Sequence, residues 1–246
     1  MSLLATFEEP VDALVVGANG GLGRAFVDAL LAEVNVRTVH AWSRNQSESG
    51  DPKLQQTALD IGDEEQLKEA ADQIERLSLI IVATGILHGP QGLFPEKSWR
   101  ALAPEHMAEN FRINAILPAL VIKQVVPRIP RKERAVIGAL SARVGSISDN
   151  RLGGWHSYRA SKSALNQLIK CLSIELRRTH PEAICLALHP GTVDTGLSEP
   201  FQKSLAAGHR LFTPDESAAH LLRVMAGATI DQSGCLMAWD GELVEP

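Results

Sequence analysis

The sequence predicts a doubly wound α/β fold, a parallel sheet of about seven strands with helices on both faces, in a single domain. Three observations carry this expectation. Short apolar runs alternate with longer helical patterns from end to end. Most of those runs are near-continuous rather than strictly alternating, as parallel strands covered on both faces require. A glycine-rich turn lies where the first run meets the first helical pattern.

The elements follow in order. A strand over 11–16 (VDALVV) leads through Gly17-Ala18-Asn19-Gly20-Gly21-Leu22-Gly23-Arg24 into a helix over 22–33. Strands over 35–42 and 55–60 precede a helix over 63–76, where Asp63 serves as N-cap and Glu64 and Glu65 suit the positive end of the helix dipole. A strand over 78–83, a helix over 105–127, a strand over 134–140 and a helix over 156–178 come next. The chain closes with a strand over 183–188, a helix over 215–227 opened by Pro214-Asp215, and a strand over 234–239. Strand–helix–strand repetition with right-handed crossovers builds one sheet. No internal repeat, linker or low-complexity stretch divides residues 1–246.

Bulk properties narrow the function. A net charge of −5 without any cluster of Lys and Arg argues against nucleic acid or a membrane surface as partner. No apolar run reaches the roughly 18 residues that span a bilayer. The N-terminal MSLLATFEEP is acidic and too short in its apolar part for a signal peptide. Cys171, Cys185 and Cys235 are odd in number and lack metal-ligand spacing, which suits reduced thiols in the cytoplasm and no metal site.

The glycine-rich turn is the first functional signal. Its glycines let the backbone approach a ligand, and the helix behind it offers N–H groups to an anion such as a dinucleotide pyrophosphate. About 20 residues on, where NAD binders carry an acid for the ribose 2′-OH, the chain has Ser43-Arg44. A guanidinium welcomes a 2′-phosphate, so NADP is favoured over NAD.

The second signal is the only tyrosine in the chain, Tyr158, four residues before Lys162. At i, i+4 both point to one helix face, about 6 Å apart at Cβ. A phenol ordinarily titrates near pH ~10, and a cation beside it lowers that value toward the range of a general acid/base.

Together these motifs make the chain resemble the short-chain dehydrogenase/reductase family, with its Rossmann-like fold, over nearly the whole length. Gly17-x-x-x-Gly21-x-Gly23 matches the family's phosphate-binding turn, where Asn19, Gly20 and Leu22 also lie. Asp60, with Ile61 beside it, matches the adenine-contacting position, and Gly85 the last residue of the family's Asn-Asn-Ala-Gly. Asn114, in FRINAILPAL, matches the asparagine whose helix kink holds a water in a proton relay. Pro190-Gly191-Thr192-Val193-Asp194-Thr195 is similar to the turn that binds the nicotinamide carboxamide. SARVGSISDNRLGGWHSYRASKSALNQ resembles the subgroup of C-factor-type and sniffer-type carbonyl reductases.

The resemblance implies an NADP-dependent oxidoreductase for a carbonyl/alcohol pair on a small or medium substrate. Tyr158 acts as general acid/base, Lys162 lowers its pKa and Asn114 completes the relay. It also implies a homodimer or homotetramer through the helices over 105–127 and 156–178.

Three departures qualify it. Val16 replaces a threonine. Val82-Ala83-Thr84-Gly85 replaces Asn-Asn-Ala-Gly, with Thr84 a partial substitute. Aligned on Gly145, the family's substrate-binding serine falls on Ala142; Ser141 beside it is the residue assigned to polarise the substrate oxygen, with Ser146 or no serine as the alternatives. Strand alternation aims Ser141 away unless the strand end twists. A non-catalytic nucleotide-binding sensor on the same fold is therefore the alternative reading.

A substrate lid is expected over about 196–213, with Phe201, Leu205, Leu211 and Phe212 as its apolar residues and Lys203, His209 and Arg210 as its cations. His88, His156 and His189 are candidate pocket residues, and Trp155 a border residue of the cleft. Trp239 and the buried-strand Cys185 are expected to serve packing alone.

Overall fold

A computed structural model describes residues 3–8, 10–46, 49–90, 92–203 and 210–246. The amino-terminal half contains β1 (Val11–Val16), α1 (Gly21–Leu31), β2 (Val36–Ser43), β3 (Leu54–Ala58), α2 (Glu64–Asp72), β4 (Leu79–Val82), α3 (Pro104–Phe111), a π-helical turn (Arg112–Ile116) and α4 (Leu117–Val125). The rest contains β5 (Ala135–Leu140), α5 (His156–Leu176), β6 (Ala183–His189), β7 (Thr192–Val193), α6 (Glu199–Gln202), β8 (Leu211–Phe212), α7 (Pro214–Gly227), β9 (Leu236–Ala238) and β10 (Leu243–Val244).

The main sheet runs β3-β2-β1-β4-β5-β6-β9-β10, parallel throughout except for the antiparallel β10. The predicted parallel strands are all present. The chain builds outward from β1 to β3 and then returns to β1's other side with β4. Strand order thus reverses between β1 and β4, and the crevice at their carboxyl ends is where open α/β sheets bind ligands. Ala13 pairs with Leu79 and Val16 with Val82. That register brings the turn after β1 beside Ala83–Gly85.

Both sheet faces are covered, which is why the strands read as continuous apolar runs. On one face Trp42, Leu67, Val121, Leu165 and Ile169 pack under α2, α4 and α5. On the other, Phe26, Leu30, Leu221, Leu222 and Met225 pack under α1 and α7. Each of these large buried side chains contributes about 1.5–3 kcal/mol of transfer free energy.

Helix starts agree with the sequence chemistry. Asp63 Oδ1 accepts from Glu65 N at 3.0 Å and Gln66 N at 3.2 Å. Pro214 opens α7 as expected, but its cap is Thr213, whose hydroxyl accepts from Glu216 N while the Glu216 carboxylate accepts from Thr213 N. The single helix expected over 105–127 is instead α3, the π turn and α4. One extra residue per turn leaves the apolar period nearly intact, so sequence periodicity does not reveal it. The two-residue strands β7, β8 and β10 are too short to show any period.

Candidate active site

The turn after β1 is held by close backbone approach. Gly17 has φ +82°, and a Cβ there would lie 3.1 Å from Ala83 O. A Cβ on Gly23 would lie 2.1 Å from Gly17 O, so α1 can cross the turn only with glycine at this position. Gly20 caps α1 without a side-chain hydrogen bond, and no acid occupies the first turn. The helix thereby keeps N–H groups for an anion. A cavity of about 540 Å³ extends from this turn past Asn19, Ser43, Arg44, Asp60 and Ile61. Asn19 Nδ2 and Ser43 Oγ both donate to Asn45 O, tying the turn to the end of β2, with Arg44 exposed beside them. Arg112, which the sequence reading missed, lines the same cavity and pairs with Glu109 through two hydrogen bonds of 2.8 and 2.9 Å.

A second cavity of about 480 Å³ adjoins the first, sharing Gly20 and the Ala83–Gly85 segment. Tyr158 and Lys162 lie in its wall, both on α5 and both buried. Lys162 Nζ is 5.8 Å from the Tyr158 ring centroid and donates to Leu140 O at 2.8 Å. No carboxylate among the described residues pairs with it. Burial therefore lowers the Lys162 pKa to about 7 and pushes the Tyr158 phenol well above its ordinary value. Burial moves both groups toward their neutral forms, which opposes the lowering of the Tyr158 pKa expected from a charged Lys162.

Asn114 sits fully buried in the π turn. Its Oδ1 accepts from Ile86 N at 2.8 Å, and its Nδ2 donates to Ile86 O at 2.9 Å and Ser161 Oγ at 3.1 Å. Ser161 Oγ in turn donates to Tyr158 O at 2.8 Å, so the segment after β4 and the first turns of α5 share one support. Gly85 leaves the space between: a Cβ there would lie 3.4 Å from both Asn114 Oδ1 and Lys162 Nζ. Thr84 replaces none of the missing asparagine contacts, since its buried hydroxyl has no hydrogen-bond partner.

The loop after β5 carries the serine candidates. Ser141 Oγ donates to Asn166 Oδ1 at 2.6 Å, and Ser141 is only 4% exposed. Its hydroxyl is thus engaged by α5, one turn beyond Lys162, as strand alternation suggests. Ser141 and Ala142, the latter in extended conformation, both line the cavity with Arg143 and Val144. Ser146 is buried outside the lining and accepts from Asp149 N at 3.0 Å. Asn166 was missed by the sequence reading, although its i, i+4 spacing from Lys162 was visible.

The Pro190–Thr195 turn forms the facing wall. Gly191 has φ +75°, and a Cβ there would meet the Phe212 ring at 2.7 Å. Phe212 and Trp239 pack behind it with their rings tilted at 58° and centroids 4.6 Å apart, so Trp239 is a packing group as expected. Thr195 abuts Gly21 and Val193 is buried.

Aromatic side chains close the outer end. Trp155 lies 6.2 Å from Tyr158 and 5.2 Å from Phe201, and His88 stacks on Phe94 at 5.7 Å. His88 also bonds Gly196 O at 2.8 Å, joining the loop after β4 to the lid. His189 lines the cavity, whereas His156 opens α5 outside the lining. Of the expected lid residues, Leu205 and His209 lie outside the described residues. Lys203 and Arg210 are not in the lining, and Arg210 stacks on Phe212 at 4.5 Å. Cys185 is buried in β6 with its thiol pushed up to about 12, the state of an unreactive thiol.

Comparison with known proteins now decides the family. The family model described as short chain dehydrogenase matches residues 12–206. The chain belongs to the short-chain dehydrogenase family. It is 32% identical over 168 residues to the C-signal protein of Myxococcus xanthus, covering 65% of this chain and 95% of that one. NADPH-bound carbonyl reductase from chicken fatty liver superposes with a TM-score of 0.82 at 28% identity, covering 97% of this chain and all of that one. The carbonyl reductase Sniffer of D. melanogaster gives the same TM-score and coverage at 22% identity.

This dehydrogenase-family chain fits a dinucleotide on its own geometry. The open helix N-terminus, the backbone-lined turn and two adjoining cavities make a continuous cradle. The room that Gly85 leaves against Lys162 would be filled by any side chain.

Proposed function

We propose that this chain is an NADP-dependent oxidoreductase that interconverts a carbonyl and an alcohol on a small or medium substrate. The observation that carries the proposal is the buried Tyr158–Lys162 pair in a cavity continuous with the glycine cradle. Arg44, just after β2 where NAD binders carry an acid, supports NADP over NAD, as does the likeness to the NADPH-bound reductase.

Gly17, Asn19, Gly20, Gly21, Leu22 and Gly23 would hold the pyrophosphate and Ser43 and Arg44 the 2′-phosphate. Asp60 and Ile61 would flank the adenine. Gly85, Lys162, Pro190, Gly191, Val193 and Thr195 would seat the nicotinamide half. When bound, NADPH supplies the hydride for carbonyl reduction.

The protein's part is the proton. Tyr158 keeps its hydroxyl proton at neutral pH because burial raises its pKa, so it can give that proton to the substrate oxygen. Protonated Lys162 stabilises the phenolate left behind, and Asn114 orders the segment through which protons return. The Ser141–Asn166 bond supports the arrangement in which no serine of the β5 loop polarises the substrate, leaving Tyr158 as its donor.

Exposed Ile116, at the end of the π turn before α4, and Leu168 and Ile174 on α5 support assembly into a homodimer or homotetramer through these two segments, which sedimentation would measure. Three free cysteines suit the reducing cytoplasm.

NADPH consumption with a panel of aldehydes, ketones and quinones tests the reading. Turnover that vanishes in Tyr158→Phe is the expected result. Tight NADPH binding without turnover on the whole panel would favour the sensor instead.

A further inference from the structure

Glu96 is a buried acid outside the cradle, and nothing in the chemistry above uses it. It is 4% exposed and lies 61 residues before the helix it touches. Its carboxylate accepts from Ser157 N at 3.1 Å and from the Ser157 hydroxyl, and its backbone oxygen accepts from Trp155 N at 2.6 Å. Burial pushes this carboxyl up, but the Ser157 hydroxyl and N–H pull it down further, leaving it below the ordinary carboxylate range.

The helix it meets needs a cap from elsewhere. α5 begins after Gly153 (φ +64°), Gly154 (φ +66°) and Trp155 (φ +52°), a left-handed run that places no local side chain over the helix start. A helix leaves its first four N–H groups without intrahelical partners. Glu96 satisfies one of them and sets a negative charge at the positive end of a 21-residue helix. Tyr158 lies in that same first turn, and Trp155 touches the Tyr158 ring. The loop that carries Glu96 also carries His88 and Phe94 of the aromatic wall.

We infer that Glu96 is a positioning residue for the reaction: as a long-range cap on α5 through Ser157 and Trp155, it sets where the Tyr158 hydroxyl stands relative to the substrate wall. The inference rests on the proposed role of Tyr158 as acid/base. Glu96 touches no reacting atom. Its effect is therefore on placement, and misplacement of an acid by about 1 Å lowers a rate by as much as 10²-fold.

The test compares wild type, Glu96→Ala, Glu96→Gln and Ser157→Ala. Glutamine can still accept from Ser157 N and donate to the Ser157 hydroxyl. Glu96→Ala is expected to lose about 10- to 100-fold in kcat, with the NADPH Kd within a factor of three and substrate KM little changed. Glu96→Gln should recover most of kcat, and Ser157→Ala should fall between.

An unchanged kcat in Glu96→Ala would overturn the inference. So would a loss of NADPH affinity that parallels the loss of kcat across the set, since that reports general destabilisation. A readout independent of turnover separates this failure from failure of the proposed function. Because Tyr158 is the only tyrosine, ¹³C-tyrosine labelling gives one set of ring signals. Amide exchange over 154–163 reads the cap directly. If the wild type reduces no carbonyl, the functional proposal falls and these two readouts decide the cap alone. Ring signals shifted or broadened and Ser157 protection lost in Glu96→Ala, with the interior of α5 still protected, support it. Unchanged spectra and exchange overturn it.

Discussion

The two ends of the central sheet treat buried charge in opposite ways. At the amino end Asp12 opens β1, 7% exposed at its side chain, and is met by two guanidinium groups. Arg37 Nε donates to it at 2.8 Å and Arg76 Nη1 lies at 3.6 Å, while Ser78 Oγ accepts from its backbone N–H. At the carboxyl end Lys162 is equally buried beside β5, but among the described residues its hydrogen-bond partner is a carbonyl oxygen rather than a carboxylate. Compensated charge at the amino end serves stability alone. Uncompensated charge at the carboxyl end costs stability and leaves an electrostatic opening for an anionic ligand.

The sharpest way to break this contrast is to remove the proton donor that Lys162 serves. Tyr158→Phe keeps the ring and should lower kcat by roughly 10²- to 10⁴-fold while leaving NADPH affinity within a factor of three. Steady-state kinetics with a fluorescence binding titration would check both halves. Activity near the wild-type rate would remove Tyr158 from the mechanism.

Exchanging the two charges for neutral groups should give opposite signs. Lys162→Met is expected to stabilise the protein by about 1–3 kcal/mol in urea denaturation and to abolish turnover. Asp12→Ala is expected to destabilise by about 1–2 kcal/mol with kcat retained. That lies below the range for a fully buried pair because Arg37 is more than half exposed. Equal signs would erase the distinction.

Arg44→Ala extends the comparison to the far end of the cradle. Loss of a charge-assisted contact to the 2′-phosphate should weaken NADPH about 10- to 100-fold and leave NADH unchanged. Calorimetry with the two nucleotides separates the cases.

A smaller effect follows from the pKa of Lys162, about 7 in the folded chain against ~10.4 for a free lysine. Between these values the unfolded chain holds a proton that the folded chain has released. Stability from this group is therefore lowest below pH 7 and rises with pH. Above about 8.5 the raised pKa of Cys185 works the other way, so the clean window is pH 7 to 8.5. There the slope should approach ~1 kcal/mol per pH unit in the wild type, measured without nucleotide, and flatten in Lys162→Met.

The smallest expected change concerns the β5 loop. Ser141→Ala should cost less than about tenfold in kcat, because its hydroxyl serves Asn166. Ala142→Ser should raise kcat by supplying a donor from the cavity wall. A Ser141→Ala loss as large as that of Tyr158→Phe would make Ser141 a direct partner of the substrate.

Much of this was legible in the chain. The glycine turn, Tyr158-x-x-x-Lys162 and the apolar runs are local patterns, and local patterns report backbone sterics and helix faces directly. Asn114 was legible as a position but not as a π turn, since an inserted residue barely disturbs apolar spacing. Arg112 escaped because it reaches its cavity from a different helix. Glu96 escaped because its partner lies 61 residues away.

By itself, then, the sequence determined the layered fold, the glycine-rich turn and the identity of the acid/base candidate. Each of these follows from neighbours within a few residues. Only the tertiary structure decided the burial of Lys162 without a carboxylate partner, the direction of the Ser141 hydroxyl and the cap on α5. Each of those depends on desolvation or on a hydrogen-bond partner brought from a distant part of the chain, and sequence spacing carries neither.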